Sequence, residues 1–142
     1  LSASLYFKNK ILYGWSSTFK TKNELLNIKI DQDEKPVIKE LFIKALTSCS
    51  ASSPGCLRIL QPALNTIVVF DYRNGNWEEL LPESLRLLST NDINAAHIGL
   101  LCIAEICKSY NIPTSVAVWE IINGKRSYNG KCENRRNGQI GC

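Results

Sequence analysis

The sequence predicts an α+β fold, one domain in which a small and mainly antiparallel sheet packs on two principal helices at about residues 35–48 and 91–110. Three observations lead there: β-favouring aromatic and branched runs in the first thirty residues, two long segments with apolar side chains at helical spacing, and six cysteines placed where they would fix loops. A chain of 142 residues is the length of one domain and long enough to bury a core unaided. With 44% hydrophobic and 21% charged residues it is not a disordered chain.

Leu5 to Phe7 and Ile11 to Trp15 read as two short strands, joined at Lys8-Asn9-Lys10 as a hairpin. Leu25 to Ile30 alternates, with Leu26, Ile28 and Ile30 facing one way, and reads as a third strand. Pro36 suits a first helical turn, and Val37, Ile38, Leu41, Phe42, Ala45 and Leu46 follow at helical spacing to about Ser48. Glu40 and Lys44, four apart, support the polar side of that helix. Cys49 to Cys56 reads as a turn-rich loop bracketed by cysteines, and Pro62 as a break.

Ile67 to Phe70 is a short unbroken apolar run, expected as an interior strand that ends in the turn Asp71 to Asn76. Trp77 to Leu88 predicts one or two short helices broken near Pro82. The helix at 91–110 opens with Ser89 and Asp92 at capping-box spacing and is apolar nearly all round, so it is expected at the centre of the core. Its longest unbroken apolar run, Ile98 to Ala104, is far below the roughly 20 residues of a membrane span. Pro113 stops it, and the branched and aromatic residues of Ser115 to Ile122 favour a strand, although Ser115 and Gly124 as caps would also frame a two-turn helix.

Residues 1–122 are expected as the globular domain and 123–142 as a basic, Asn/Gly-rich hairpin or tail docked by cysteines. The chain holds 17 basic and 13 acidic residues, of which the tail has five and one, so the remainder balances at 12 and 12. Lys125, Arg126, Lys131, Arg135 and Arg136, with Tyr128 among them, form a cationic segment able to contact phosphates of nucleic acid or an anionic surface.

The disulfide candidates are Cys49, Cys56, Cys102, Cys107, Cys132 and Cys142. Cys102 and Cys107 are about 140° apart around one helix, so each would bond a different neighbour. Their spacing fits neither a zinc knuckle nor a Cys-x-x-Cys redox site, and no cofactor or metal is expected. His97 is the single histidine and sits on an apolar helix, where a structural imidazole is expected over a catalytic base. Asp71 is read as opening a turn. Glu105 and Glu120, set among apolar residues, are the carboxylates best suited to acid–base work.

The absence of methionine is read as the mark of a mature product that lost its leader, or of a piece of a longer chain. Even cysteine number and a weak catalytic inventory then predict a non-catalytic protein, secreted, periplasmic or at the cell surface, that binds another protein as an effector, toxin component or adhesin-like module. Tyr6, Tyr13, Trp15 and Trp77 would mark such an interface where exposed and are otherwise core residues, two readings that alternation in a short strand does not separate. One alternative is an intracellular nucleic-acid-binding protein working through residues 123–142; another is a small carboxylate-dependent hydrolase using Glu105, Glu120 or Asp71.

Overall fold

A computed structural model describes residues 2–16, 20–123, 133–135 and 139–141. They form six α-helices: α1 Ser2–Gly14, α2 Lys35–Ser52, α3 Pro54–Phe70, α4 Leu80–Leu88, α5 Ile93–Ser109 and α6 Thr114–Ile122. Short 3-10 turns lie at Glu24–Asn27 and Tyr72–Asn74. The α+β expectation is therefore corrected: among the described residues no sheet packs on these helices. Among the described residues the only strands are Glu133–Arg135 and Gln139–Gly141, an antiparallel pair in which Asn134 faces Ile140.

Each misread strand has a physical reason. In the first fifteen residues, Phe7, Ile11 and Trp15 are four apart and face the core from α1 and the residue that follows it, Ile11 and Trp15 at 1% exposure. Branched and aromatic residues favour strands only weakly, so packing of a helical face overrides them. Leu25 to Ile30 buries Leu26 and Ile30 but leaves Ile28 exposed, because Glu24–Asn27 coils instead of extending. Asn23 caps that turn by accepting from Leu25 N at 3.1 Å. The carbonyls of Leu25 and Ile28 are held by Lys10 Nζ at 2.9 and 3.0 Å.

Ile67 to Phe70 is the last turn of α3, which continues through Pro62. Leu57, Leu60, Leu64 and Ile67 bury one face of that helix, while Pro62 lies on the exposed side, where water can reach the carbonyl that its missing N–H leaves unpaired. Cys49 to Cys56 is no loop: α2 runs on to Ser52, Ser53 alone links it to α3, and Pro54 opens the new helix. Val116 to Ile122 belongs to α6. The helix at the centre starts at Ile93, one turn later than its capping-box reading, with Asp92 accepting from Asn94 N at 2.9 Å. Ser89 instead ends α4, donating its hydroxyl to Leu85 O at 2.8 Å.

Some helices pack on their neighbours in the chain and others on more distant ones. α1 lies on α3 and α3 on α5; α2 crosses both α3 and α5; α4 and α6 pack on α5. The main core joins Trp15, Phe42, Leu46, Leu64, Ile67, Leu80 and Ile98, and a smaller cluster of Ile103, Cys107 and Ala117 seats α6. A fully buried Leu such as Leu46 or Leu64 stabilises the fold by roughly 1.5–3 kcal/mol.

Two glycines permit close approaches. At Gly14 a Cβ would lie 2.8 Å from Ile28 O, and the Gly14 carbonyl accepts from Ile30 N at 2.9 Å, so the connector runs against the end of α1. At Gly99 a Cβ would lie 2.5 Å from Ser84 O and 2.8 Å from Leu88 N, which are backbone atoms of α4 that cannot swing away. Gly99→Ala is therefore expected to cost about 1–3 kcal/mol. Urea unfolding reads this, and an unchanged midpoint would show that α4 and α5 do not meet backbone to backbone.

Candidate functional site

The polar chemistry of the fold gathers around Asp71, the residue that follows α3. Its carboxylate is buried; Oδ1 accepts from Trp15 Nε1 at 2.9 Å and Oδ2 pairs with Lys39 Nζ at 2.6 Å. Lys39 also donates to Asn76 O at 2.7 Å, and Asn76 N returns to Asp71 O at 2.9 Å, closing the loop that leads to α4. Asp71 does open a turn, and its side chain in addition ties together α1, α2 and the α3–α4 loop. Lys35, one turn before Lys39, is buried too: its Nζ donates to Trp15 O at 3.2 Å and stands 5.0 Å from the Trp15 ring centre. Lys39 lies 6.0 Å from that ring and 5.8 Å from the ring of Trp77. Trp15 and Trp77, which the sequence leaves open between interface and core, are core residues, whereas Tyr6 is exposed.

Sequence reading missed both lysines, yet a signal existed. Lys35, Lys39, Phe42 and Leu46 are spaced four, three and four apart, so the lysines continue the buried stripe of α2 toward its start.

Glu105 is the second buried carboxylate, 2% exposed on α5. Gln61 Nε2 donates to Oε1 at 2.8 Å and Asn65 Nδ2 to Oε2 at 2.9 Å, both from α3. Two amides thus satisfy it and fix α5 against α3. It lines a cavity of about 640 Å³ with Arg58 and Lys108 at its mouth, while Asp71 lines a different cavity of about 400 Å³. The two carboxylates do not share a cleft, and the arrangement for glycosidic hydrolysis is not built between them. The Glu120 side chain lies outside the described residues. A third groove, about 570 Å³, separates α2 from α4 and is lined by Glu40, Ile43, Lys44, Trp77 and Glu79.

His97 is exposed, its Nδ1 3.2 Å from Ser50 Oγ, so it joins the end of α2 to α5 at the surface and not within the core.

The disulfide expectation is corrected for the cysteines described: Cys49, Cys56, Cys102 and Cys107 are free thiols. Cys102 and Cys107 act as small apolar core residues. Burial pushes the Cys102 thiol up to about 12, with Ser84 opposing and Glu105 adding to the rise. Burial also raises Cys49, at the end of α2. Cys56, in the first turn of α3, is drawn down by hydrogen bonds from Ser53 and Ser4, the latter at 3.6 Å. Cys132 and Cys142 lie outside the described residues, as do Lys125, Arg126, Tyr128, Lys131 and Arg136. Arg135 ends the first tail strand. Among the described residues no group of His, Cys, Asp and Glu could hold a metal ion, and no helix is long and apolar enough to cross a membrane.

Comparison with known proteins finds a relative in Saccharomyces cerevisiae, nonsense-mediated mRNA decay protein 5, which is 52% identical over 111 residues. The match covers 78% of this chain and 11% of that protein, so the chain spans about a ninth of the curated relative's length. No family model matches the chain, and no solved structure does. This finding overturns the secreted, periplasmic or cell-surface expectation, because decay of mRNA takes place inside cells.

Two expected outcomes test the site. Asp71→Ala leaves Lys39 buried without its counter-charge and should cost about 3–5 kcal/mol, with much of the loss recovered when Lys39→Met is added. Additive losses in a double-mutant cycle of unfolding free energies would show that the pair is not coupled. For Cys102 the folded thiol titrates above the unfolded one, so its contribution is intact below pH 9 and fades as pH rises toward 12. Over that window the stability of the wild type should fall up to about 1.4 kcal/mol per pH unit more steeply than that of Cys102→Ala, read by unfolding at each pH.

Proposed function

We propose that this chain is a non-catalytic helical binding segment of an intracellular protein engaged in mRNA turnover, and that it holds RNA through its basic tail, residues 123–142. The observation that carries the reading is the 52% identity to a protein named for nonsense-mediated mRNA decay. The architecture supports a binding role. Helix pairs α2–α3 and α4–α5 stack side by side, each packing on the next, an arrangement that presents long outer surfaces in the manner of solenoids. The buried carboxylates are occupied by structural partners, so they hold helices in place and leave recognition to the surface. Lys125, Arg126, Lys131, Arg135 and Arg136 supply the phosphate contacts, and Tyr128 a ring on which a base can stack.

Fluorescence anisotropy with a single-stranded RNA tests this. Five cations in contact with phosphates give a slope of about −3.5 in log K against log salt. Deleting residues 123–142 should abolish the binding, and a full chain that leaves RNA unbound at low salt would sink the reading. A second reading takes a protein partner on α2, where Val37 and Leu41, one turn apart, are each 57% exposed. A partner recovered with the tagged chain from cells and lost in the Val37→Asp, Leu41→Asp double variant would favour it.

A further inference from the structure

We propose that the cavity at the start of α2 is a binding site for a phosphate-class oxyanion, with Lys35 as its principal ligand. This inference does not rest on the RNA reading or on the tail. The cavity of about 400 Å³ is lined by Trp15, Lys35, Pro36, Lys39, Asp71 and Asn76, among others. Two ammonium groups and one carboxylate meet there, and the carboxylate already belongs to Lys39 and Trp15. Among the described residues Lys35 makes one hydrogen bond, to the Trp15 carbonyl, and has no carboxylate partner. At 8% exposure it is more than nine-tenths buried. A buried ammonium without a counter-charge is costly, and an anion accepting its two remaining N–H groups removes that cost.

The surroundings point to the same ligand. α2 is 18 residues long and begins at Lys35, so the positive end of its dipole adds to the lysine charge at the cavity. Volume is ample for a tetrahedral anion with several waters, since a water takes about 30 Å³. The Trp15 ring is 1% exposed and faces the two lysines, which leaves no ring face for a base and makes the anion itself the recognised group. Asp31, Asp33 and Glu34 are exposed nearby, and the Glu34 carboxylate is turned toward Asp31 N at 3.3 Å. None of the three lines the cavity. These acids oppose long-range attraction of anions, so capture depends on contact inside the cavity.

The test is a nuclear magnetic resonance titration of the full chain with inorganic phosphate at constant ionic strength, chloride being the reference salt. The reporter is the Trp15 indole N–H, which bonds Asp71. The expected result is a saturable shift there with the Trp119 indole unmoved, kept in Lys35→Arg and weakened about tenfold or more in Lys35→Gln. A parallel arm with a 5′-phosphorylated short oligoribonucleotide and its 5′-hydroxyl twin identifies the source. Tighter binding of the phosphorylated form through Lys35 assigns the site to a terminal RNA phosphate, and equal response to free phosphate assigns it to the free ion. A linear drift, an equal response in Lys35→Gln, or no shift with either probe overturns the proposal. If Lys35→Gln does not fold, saturation or drift in the wild type decides alone.

Discussion

The fold depends on one buried carboxylate. Asp71 receives the indole of Trp15 and the ammonium of Lys39, and through them fixes the end of α1, the first turns of α2 and the loop that leads into α4. Apolar contacts between helices are tolerant of small slides, because dispersion and burial have little directional preference. A charged hydrogen bond at 2.6 Å has both direction and length, so it selects one register out of those that the core alone would allow. Glu105 does the same for α3 and α5, with amides in place of cations. In both cases a polar group is buried with its partners, so each adds uniqueness without leaving an acceptor unpaired.

That division of labour explains how chemistry and architecture relate here. Acidic side chains that look suited to proton transfer hold helices together, each with both oxygens engaged. Lys35 differs from them, since its ammonium lies beside the same indole with only a backbone carbonyl and a ring for company. The grooves between α2 and α4 and between α3 and α5 are open and mixed in polarity, with both signs of charge at their edges.

The helices at 35–48 and 91–110 were legible because fourteen or more residues at one period leave little room for another reading, and α2 and α5 stand there. Short segments were not. Ile67 to Phe70 is four apolar residues in a row, which a strand buried on both faces and a helix turn in a crowded core display alike. What decides between them is the partner, and α3 has its partner in α1, at the far end of the chain segment that precedes it. Pro62 misled for a related reason: its cost depends on whether the lost hydrogen bond faces water, which sequence does not record. Among the site residues, Glu105 stood out as a carboxylate in an apolar helix, but Gln61 and Asn65 were invisible until residues 57–70 became a helix that places them one turn apart. The four described cysteines were misassigned because an even number suggests pairing, whereas Cys102 and Cys107 fill the space of small apolar residues in two different clusters.

Trp15 and Asp71 are 56 residues apart in the chain, whereas the pairs α2–α3 and α4–α5 join neighbours. Loop closure is met before a distant contact gives anything in return, so the indole–carboxylate bond belongs to the last part of folding. The two helix pairs can assemble with each other first, and α1 is then laid along a surface that already stands. Folding order is thus written into the same bond that sets the register.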